Sequence, residues 1–285
     1  MGREENIEIF NDTRICCAQN QTLITAISDS RRQQFFLAEG DAFDKVNRTL
    51  FSTPAKVVVS KKRSFEAAKA YGGQKVAVHN FASATIPGGG VEKGSGAQEE
   101  CLCRCSTLYF CLDVPDIWNK YYKPHRASAN PVHNDDIIYT PDVVVFKSDT
   151  ASPKQLPENE WYKVNVITCA APNLKEKPSN MFNPGDGDQA VSVSDSELLT
   201  IHEKRLRRIM DVAVKNGNES IILGAFGCGA FANKVEVVAL AAKNVVKDYL
   251  YTFKNIEFAV YCKPKNDRNY VVFERTLRKV GCENE

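Results

Sequence analysis

Residues 220–233 read SIILGAFGCGAFAN, and this stretch decides the class of fold. The run 220–225 is apolar and of strand length, and the segment that begins at Asn233 has the periodicity of a helix. The loop between them carries glycines at 224, 227 and 229. A strand, a glycine-rich loop and a helix start, in that order, predict an α/β protein with an anion site, because free N–H groups and the helix dipole favour negative charge.

Outward from this unit the chain alternates between strands and helices. Runs of apolar and β-branched residues predict further strands at 56–60, 75–80, 143–146, 164–169 and 256–262. Amphipathic periodicity predicts helices at 60–71, 98–112, 194–215, 233–250 and 267–279. This alternation predicts a three-layer α/β/α fold around a mixed, largely parallel sheet. Ligands of such sheets bind at the carboxyl ends of strands, so we expect the functional site in the loops there.

The first 55 residues have a different pattern from the rest of the chain. Asn11-Asp12-Thr13 is typical of a helix cap, and apolar positions recur through Leu23 and Ile27, whereas residues 28–54 have weak periodicity. We therefore predict an N-terminal helical and irregular extension over 1–55, packed on a main domain over 56–285.

The composition, 43% hydrophobic and 25% charged over 285 residues, indicates an ordinary globular protein. A net charge of +2 argues against broad electrostatic binding to nucleic acid, so no specific DNA binding is expected. The basic runs 61–63 and 204–208 are predicted to be solvated helix faces. No apolar run approaches the roughly 20 residues that span a bilayer, and the polar N-terminus does not resemble a signal peptide. We therefore expect no membrane association and a cytoplasmic location.

The ten cysteines are predicted to be free thiols, as is usual for a cytosolic chain. Cys101, Cys103 and Cys105 have the spacing C-x-C-x-C, which differs from the paired C-x-x-C of zinc sites. We interpret them as small core residues, and we expect neither a metal nor a cofactor.

Two other segments carry polar residues whose roles the sequence leaves open. Residues 175–188, KEKPSNMFNPGDGD, predict an exposed loop because they are rich in Pro, Gly and Asn. His125 and His133 lie in another Pro- and Asn-containing segment and show no partner in the sequence. For His79 and His202 we expect structural roles.

A second glycine-rich loop follows the predicted strand 75–80. It carries three consecutive glycines at 88–90, and after seven more residues Gln98-Glu99-Glu100 begins a predicted helix. Consecutive glycines let the backbone approach a ligand, and their N–H groups can form an anion-binding nest. A flexible surface loop is the alternative, but it does not explain why an acid pair follows directly at the start of a helix. The acid pair itself could be an ordinary acidic first helical turn.

The glycine pattern of the first loop also fits a dinucleotide-binding fold. Residues 227–232 match G-x-G-x-x-G/A, for which an acid about 20 residues further on should hold a ribose. The next predicted strand ends instead at Tyr261-Cys262, without an acid. Neither loop has the Gly-Lys-Ser/Thr ending of a P-loop, so nucleoside-triphosphate hydrolysis is not expected.

Together the two loops resemble one family. The glycines 88–90, seven further residues and Gln98-Glu99-Glu100 resemble the GGG-x6–8-QEE signature of the poly(ADP-ribose) glycohydrolases. GAFGCGAF at 224–231 is similar to their diphosphate loop, and NFAS at 80–83 and TCAAPN at 168–173 are similar to the smaller, microbial branch. The resemblance runs from about residue 12 to the C-terminus. It implies a macrodomain-like fold, with the catalytic domain at 56–285.

The resemblance implies that Glu100 and Glu99 are catalytic. The substrate-binding residues that it implies are Asn80, Ser83, Gly88, Gly89, Gly90, Gln98, Gly227, Cys228, Gly229, Ala230 and Phe231. Ser83 departs from the animal-type enzymes, which carry asparagine at this position, and a serine hydroxyl has a shorter reach. Phe231 would pack against the terminal ribose, with simple core packing as its alternative.

The implied substrate is poly(ADP-ribose) or an ADP-ribosylated protein, and the implied product is ADP-ribose. Glu100 would give a proton to the departing 2′-oxygen of the ribose–ribose bond and then act as base on water, while Glu99 would hydrogen-bond the ribose hydroxyls. Neighbouring helical residues point about 100° apart, so one carboxylate has to serve in both steps. A helix start favours ionised glutamate, whereas burial and a second carboxylate favour the protonated form, and the sequence leaves this balance open.

Two other functions stay open at this point. A macrodomain that binds ADP-ribose without cleaving it would have the same loops but idle glutamates. A hydrolase of another ADP-ribose linkage, such as one to a protein side chain, would use the same acid pair.

Overall fold

A seven-stranded sheet forms the centre of the computed structural model, which describes residues 2–41, 46–263, 266–278 and 280. Its strands are β1 Phe35–Leu37, β2 Lys56–Ser60, β3 Val76–Ala82, β4 Ile137–Val145, β5 Tyr162–Ala170, β6 Ser220–Leu223 and β7 Asn255–Ala259. They lie in the order β1-β4-β5-β3-β6-β7-β2. Strands β5, β3, β6, β7 and β2 pair in parallel, and β4 pairs antiparallel with both β5 and β1. The predicted mixed, largely parallel sheet is confirmed.

Helices cover both faces of this sheet. They are α1 Arg3–Gln19, α2 Gln21–Gln33, α3 Ser64–Lys69, α4 Gln98–Cys105, α5 Leu108–Leu112, α6 Pro115–Ile117, α7 Lys123–Ser128, α8 Asp195–Lys215, α9 Val235–Val246 and α10 Arg268–Leu277. In β6, Ile221 packs in the cluster that contains α8, α9 and α10, whereas its neighbour Ile222 packs with α3, α4 and α5. Successive strand residues point to opposite faces, so both faces are buried and the predicted three-layer α/β/α fold is confirmed.

The N-terminal helices pack against the sheet. Leu23 and Ile27 of α2 lie in one cluster with Val144 and Phe146 at the end of β4. Strand β1, which weak periodicity hid from the sequence analysis, adds an edge to the sheet beside β4. Among the described residues no helix has both the length and the apolarity to cross a membrane.

The helix cap predicted at residues 11–13 is wrong, because these residues lie inside α1. The break between α1 and α2 falls at Asn20, whose side chain accepts the Leu23 N–H at 3.1 Å and so caps α2. Thr13 is fully buried, and its hydroxyl donates to the Arg104 carbonyl at 2.6 Å. Thr13, which resembles part of a helix cap in sequence, therefore makes a tertiary contact.

The predicted helix 98–112 is two helices, α4 and α5. Ser106 between them has an extended backbone, with φ −148° and ψ 179°, and forms an isolated β-bridge with Val145. The apolar periodicity continues through the break, so only the pairing with β4 reveals it. The helix predicted from residue 60 begins at Ser64, where the Glu66 side chain accepts the Arg63 N–H at 3.1 Å.

The basic runs are not simply solvated helix faces. Residues 61–63 precede α3, and in the second run Arg205 is buried with only 2% of its surface exposed. Its guanidinium donates to Asp135 Oδ1 at 2.9 Å and to the carbonyls of Ala170 and Val132, also at 2.9 Å. Because these partners satisfy the charge, Arg205 is stable on the inward face of α8.

Candidate active site

A cavity of about 710 Å³ opens where the parallel strands end. Residues at or just after the carboxyl ends of β2, β3, β5, β6 and β7 line it, namely Arg63, Phe81, Ala171, Ala225 and Val260. The first turn of α4 contributes Gln98, and the loop 225–231 forms another wall. The site therefore lies at the edge of the sheet where sequence reasoning expected it.

The loop 225–231 includes a row of backbone hydrogen-bond donors without protein partners among the described residues. Within the described part of the chain, the N–H groups of Gly229, Ala230 and Phe231 donate to no protein acceptor. A Cβ at Gly229 would meet no protein atom within 4 Å, so this position faces the open space of the cavity. Three successive free N–H groups ahead of α9 form a geometry suited to a phosphate or diphosphate.

Gly227 holds the shape of this loop. Its φ of +76° favours glycine, and a Cβ there would approach the Asn233 side chain to 2.8 Å. Asn233 is buried, donates to the Pro172 carbonyl at 2.6 Å and pairs with His202 Nε2 at 2.7 Å. Burial lowers the pKa of His202 to about 4, so this histidine is neutral and anchors the loop.

The acid pair lies beside the cavity and is buried. Glu99 is 3% exposed and Glu100 is 7% exposed, and neither carboxylate lines the cavity itself. Glu99 accepts the Ser83 N–H at 2.7 Å and an Asn80 N–H at 3.2 Å, whereas Glu100 Oε1 accepts the Gly90 N–H at 2.9 Å. The two side chains contact opposite ends of one loop, as adjacent helical residues do.

The glycine turn 88–90 wraps around these two carboxylates. Gly89 has a φ of +55°, and a Cβ on it would lie 2.7 Å from Glu100 Oε1 and 3.1 Å from Glu99 Oε2. The Gly90 N–H is occupied by Glu100, and none of the three glycines lines the cavity. The expected nest therefore holds the protein's own carboxylate, and it does so because only glycine permits such a close approach.

Burial decides the protonation balance that the sequence left open. It is the largest influence on both glutamates, and it raises the pKa of Glu99 to about 8 and also raises the pKa of Glu100. The adjacent Glu100 carboxylate raises the pKa of Glu99 further, whereas the hydrogen bonds from Ser83 and Gly90 oppose the shift in their respective partners. Glu99 is consequently protonated at neutral pH.

Gln98 and Asn80 tie the acid pair to β3. The Gln98 side chain accepts the Phe81 N–H at 2.9 Å and donates to the His79 carbonyl at 2.8 Å and to Ser64 Oγ at 2.9 Å. Asn80 is fully buried and directs its amide at Glu99. These contacts fix the start of α4 against the sheet, and direct contact of either side chain with substrate stays a prediction.

Ser83 leads into a buried chain of polar side chains that sequence reasoning missed. Ser83 Oγ donates to Asn183 at 2.6 Å, Asn183 donates to Asp186 at 2.5 Å, and Asp186 lies 3.3 Å from His133 Nε2. Asn173 also donates to Asp186, at 2.7 Å. His133 therefore has a partner, and the segment expected to be an exposed loop is tied to the site by these bonds.

Three further polar side chains of the cavity wall were not predicted as site residues from the sequence. The Arg63 guanidinium stacks over the Tyr261 ring at 4.1 Å and lies 3.9 Å from Asp149, whose pKa burial raises to about 6. Arg63 and Tyr261 follow the ends of strands, which is the signal that could have found them. Within the described part of the chain, no three His, Cys, Asp or Glu side chains are arranged to hold a metal ion.

A known protein family matches this chain. The family model for the microbial-type PARG catalytic domain matches residues 4–148, just over half of the chain. A comparison with curated proteins found no significant match.

Solved structures of similar fold include enzymes from two bacteria. The poly(ADP-ribose) glycohydrolase (PARG) of Thermomonospora curvata is 24% identical, with a TM-score of 0.79 over 96% of this chain and 99% of that chain. The same enzyme bound to the inhibitor ADP-HPD is 25% identical, with a TM-score of 0.78 over 95% of this chain and 99% of that one. The Deinococcus radiodurans enzyme in complex with ADP-ribose is 27% identical, with a TM-score of 0.74 over 90% and 98% of the two chains. The chain belongs to the microbial-type poly(ADP-ribose) glycohydrolase catalytic-domain family.

Proposed function

We propose that Glu100 is the acid with which this glycohydrolase breaks the ribose–ribose bonds of poly(ADP-ribose). The observation that carries the proposal is the state of its carboxyl group. Oε1 accepts the Gly90 N–H, whereas Oε2 is buried and has no hydrogen-bond partner among the described residues. Burial raises the pKa of Glu100, so Oε2 can carry a proton that no protein acceptor competes for.

The free N–H groups at 229–231 support the proposal that the substrate's diphosphate binds at this loop. They line the same cavity as the start of α4, and Cys228 and Gly227 belong to the same loop. Phe231 lines the cavity at the end of this row, which supports the predicted packing against the terminal ribose. A diphosphate held there would present the adjoining ribose toward the first turn of α4.

The proposed reaction uses one carboxyl group twice. Glu100 transfers its proton to the 2′-oxygen as the C1″–O2′ bond breaks, and the bonding electron pair leaves with that oxygen. The ribose becomes oxocarbenium-like, water adds to C1″, and the Glu100 carboxylate takes the proton of the water. These steps release ADP-ribose and restore the protonated acid.

Glu99 acts beside it as the group that orients the ribose. Both of its oxygens accept hydrogen bonds from the protein, and its raised pKa of about 8 leaves one O–H to donate at neutral pH. We infer that this O–H meets a ribose hydroxyl. Asn80 then serves to position Glu99, because it is fully buried.

Incubation of the wild-type protein and a Glu100→Gln variant with labelled poly(ADP-ribose) tests the proposal. We expect Glu100→Gln to lower the release of ADP-ribose by at least about 100-fold, the low end for loss of a general acid, with little change in the Kd for ADP-ribose. Glu8→Gln is the control, since Glu8 is exposed on α1. Full turnover by Glu100→Gln would exclude Glu100 as the acid. Binding without release by the wild-type protein would instead show a binding module.

Three broader statements complete the proposal. The substrate includes poly(ADP-ribose) attached to proteins, and specific DNA is not a partner. The nine described cysteines are free thiols, which supports a reducing compartment, and on that basis we propose a cytoplasmic location. Residues 1–55 form an extension on the catalytic domain 56–285, as the packing of α2 against β4 supports.

A further inference from the structure

The helix that carries the acid pair also carries a buried arginine. Arg104 is 2% exposed, and it lies four residues after Glu100, so the two side chains share one face of α4. Its Nη1 donates to the Ser95 carbonyl at 2.5 Å and its Nη2 to Cys101 Sγ at 3.2 Å, while Nε has no partner. In the described part of the chain no carboxylate lies within ion-pair distance of this guanidinium. Burial of a cation without a bonded anion costs free energy, so the position of Arg104 one helical turn from Glu100 requires an explanation.

A continuous path of hydrogen bonds joins the two side chains. Arg104 Nη1 bonds the Ser95 carbonyl, and the Ser95 N–H donates to the Gly90 carbonyl at 3.0 Å. The Gly90 N–H in turn donates to Glu100 Oε1 at 2.9 Å. Ser95 also packs on the glycine turn, because a Cβ at Gly90 would clash with the Ser95 side chain. Arg104 therefore holds the peptide groups that hold the carboxyl group.

We infer that Arg104 is a positioning residue of the hydrolase, whose guanidinium fixes the turn that binds Glu100 and supplies the positive charge against which that carboxyl group ionises. The inference rests on the proposed role of Glu100. The mechanistic reason for a cation at this place is that Glu100 has to give up a proton in the first step and regain it in the second. A cation nearby stabilises the carboxylate that exists between the two steps.

The charges around this turn allow the effect of Arg104 to be isolated. Other titratable or charged side chains on α4 and on the elements that pack against it are Arg3, Glu4, Glu5, Glu8, Asp12, Arg14, Cys16, Cys17, Glu66, Lys69, His79, Glu92, Lys93, Glu99, Cys101, Cys103, Cys105, Tyr109 and Cys111. Arg63, Lys147 and Asp149 contact these elements from outside them. Among side-chain charges, Arg104 has the largest influence on Glu100, and it lowers the pKa that burial raises. Removal of this charge would therefore raise the pKa of Glu100 further and weaken it as an acid.

The test is the pH profile of kcat/KM for poly(ADP-ribose) hydrolysis in Arg104→Met and Arg104→Lys. In Arg104→Met we expect the alkaline limb to move up by about one pH unit or more, with a fall of about tenfold in the plateau. Arg104→Lys keeps the charge, so its limb should stay near the wild-type position. Arg31→Met is the matched control, since Arg31 of α2 also donates to a backbone carbonyl, that of Phe110 at 2.5 Å, and does not line the cavity, so its loss should leave the limb in place.

A loss of activity in Arg104→Met without movement of the limb would overturn the inference, as would an equal shift in Arg104→Lys or in Arg31→Met. Arg104→Gln covers the case in which Arg104→Met does not fold, because its amide can still donate to a backbone carbonyl while the charge is lost. We expect the limb of Arg104→Gln to move up in the same way, and a limb at the wild-type position would also overturn the inference. Failure of the Glu100 proposal itself differs from both, because Glu100→Gln would then keep full turnover.

Discussion

At the scale of single residues, proton affinity is set by where the side chain lies. Glu99 and Glu100 occupy a first helical turn, where the helix dipole stabilises carboxylates, and yet burial gives both a raised pKa. The gain from the dipole is fractions of a kcal/mol at an exposed position, whereas desolvation of a buried charge costs several. The larger effect prevails, so a pair that looks like an ordinary acidic turn becomes a pair of acids.

The raised pKa of Glu99 predicts a pH dependence of stability. The folded protein binds a proton there up to about pH 8, whereas the unfolded chain releases it near 4.5, so the free energy of unfolding should fall as pH rises between these values. In Glu99→Gln the free energy of unfolding should fall less over this pH range. Urea denaturation at several pH values from about 5 to 8.5 would measure the difference. The slopes of the free energy of unfolding against pH are compared, because the amide also loses one hydrogen bond. That loss shifts the free energy of unfolding by the same amount at every pH.

Glu8→Gln serves as the control for that slope. Glu8 is exposed, so this variant should follow the wild-type curve. If Glu99→Gln shows the full wild-type fall in stability between the two pH values, Glu99 is not the group that binds the proton.

At the scale of elements, glycine has a different function in each of the two glycine-rich loops. The turn 88–90 needs glycine because the backbone passes within contact distance of two carboxylates, as the atoms around Gly89 show. The loop 225–231 needs glycine at 227 for its positive φ and at 229 to leave the cavity open. The motif predicted both loops, but only the packing shows which of them is free to meet a ligand.

A pair of valine substitutions separates these roles within one loop. Gly229→Val should keep the wild-type Tm, because a Cβ there meets no protein atom, and it should weaken ADP-ribose binding by at least about tenfold by covering the free N–H groups. Gly227→Val should instead destabilise the fold by about 1–3 kcal/mol, because of its positive φ and its contact with Asn233.

Thermal denaturation and calorimetric titration with ADP-ribose measure the two effects. Unchanged ADP-ribose affinity in Gly229→Val would contradict the placement of the diphosphate on this loop. A wild-type Tm in Gly227→Val would contradict the account of the loop's shape.

At the scale of the whole molecule, α1 is hydrogen-bonded to the segments that form the proposed catalytic site. Asn6 donates to the Gly94 carbonyl at 2.9 Å, close to the glycine turn, and Thr13 bonds the carbonyl of Arg104. The buried Lys147 ammonium also donates to Thr13 Oγ1, at 2.8 Å. We therefore expect the N-terminal extension and the catalytic domain to unfold together.

Thr13→Val tests this coupling. The valine is close to isosteric and leaves the Arg104 carbonyl and the Lys147 ammonium each short of one partner, which should cost about 1–3 kcal/mol in the free energy of unfolding. Chemical denaturation should still show one transition. Thr25→Val on the exposed face of α2 is the matched control. An equal effect of both substitutions, or a separate early transition, would contradict the coupling.

The order of the elements and the two glycine loops follow from the sequence, because strand and helix periods, β-branched runs and consecutive glycines are local signals. The QEE motif placed the acid pair at a helix start for the same reason, and α8, Asp195–Lys215, matches the helix predicted at 194–215. Where a signal is not local, the prediction failed. Ser106 breaks a periodic helix because it pairs with β4, and Arg205 is buried because Asp135 and two carbonyls meet it.

The chain by itself determined the α/β class, the glycine loops at the strand ends and the choice of Glu99 and Glu100 as the proposed acids. Only the tertiary structure decided their protonation, the occupation of the glycine turn 88–90 by a carboxylate, and the links from Ser83 to His133 and from Arg104 to Glu100. Periodicity and motifs report the short-range preferences of the backbone. Desolvation and hydrogen bonding between distant segments depend on which atoms share a place in space, and that is settled only when the chain has folded.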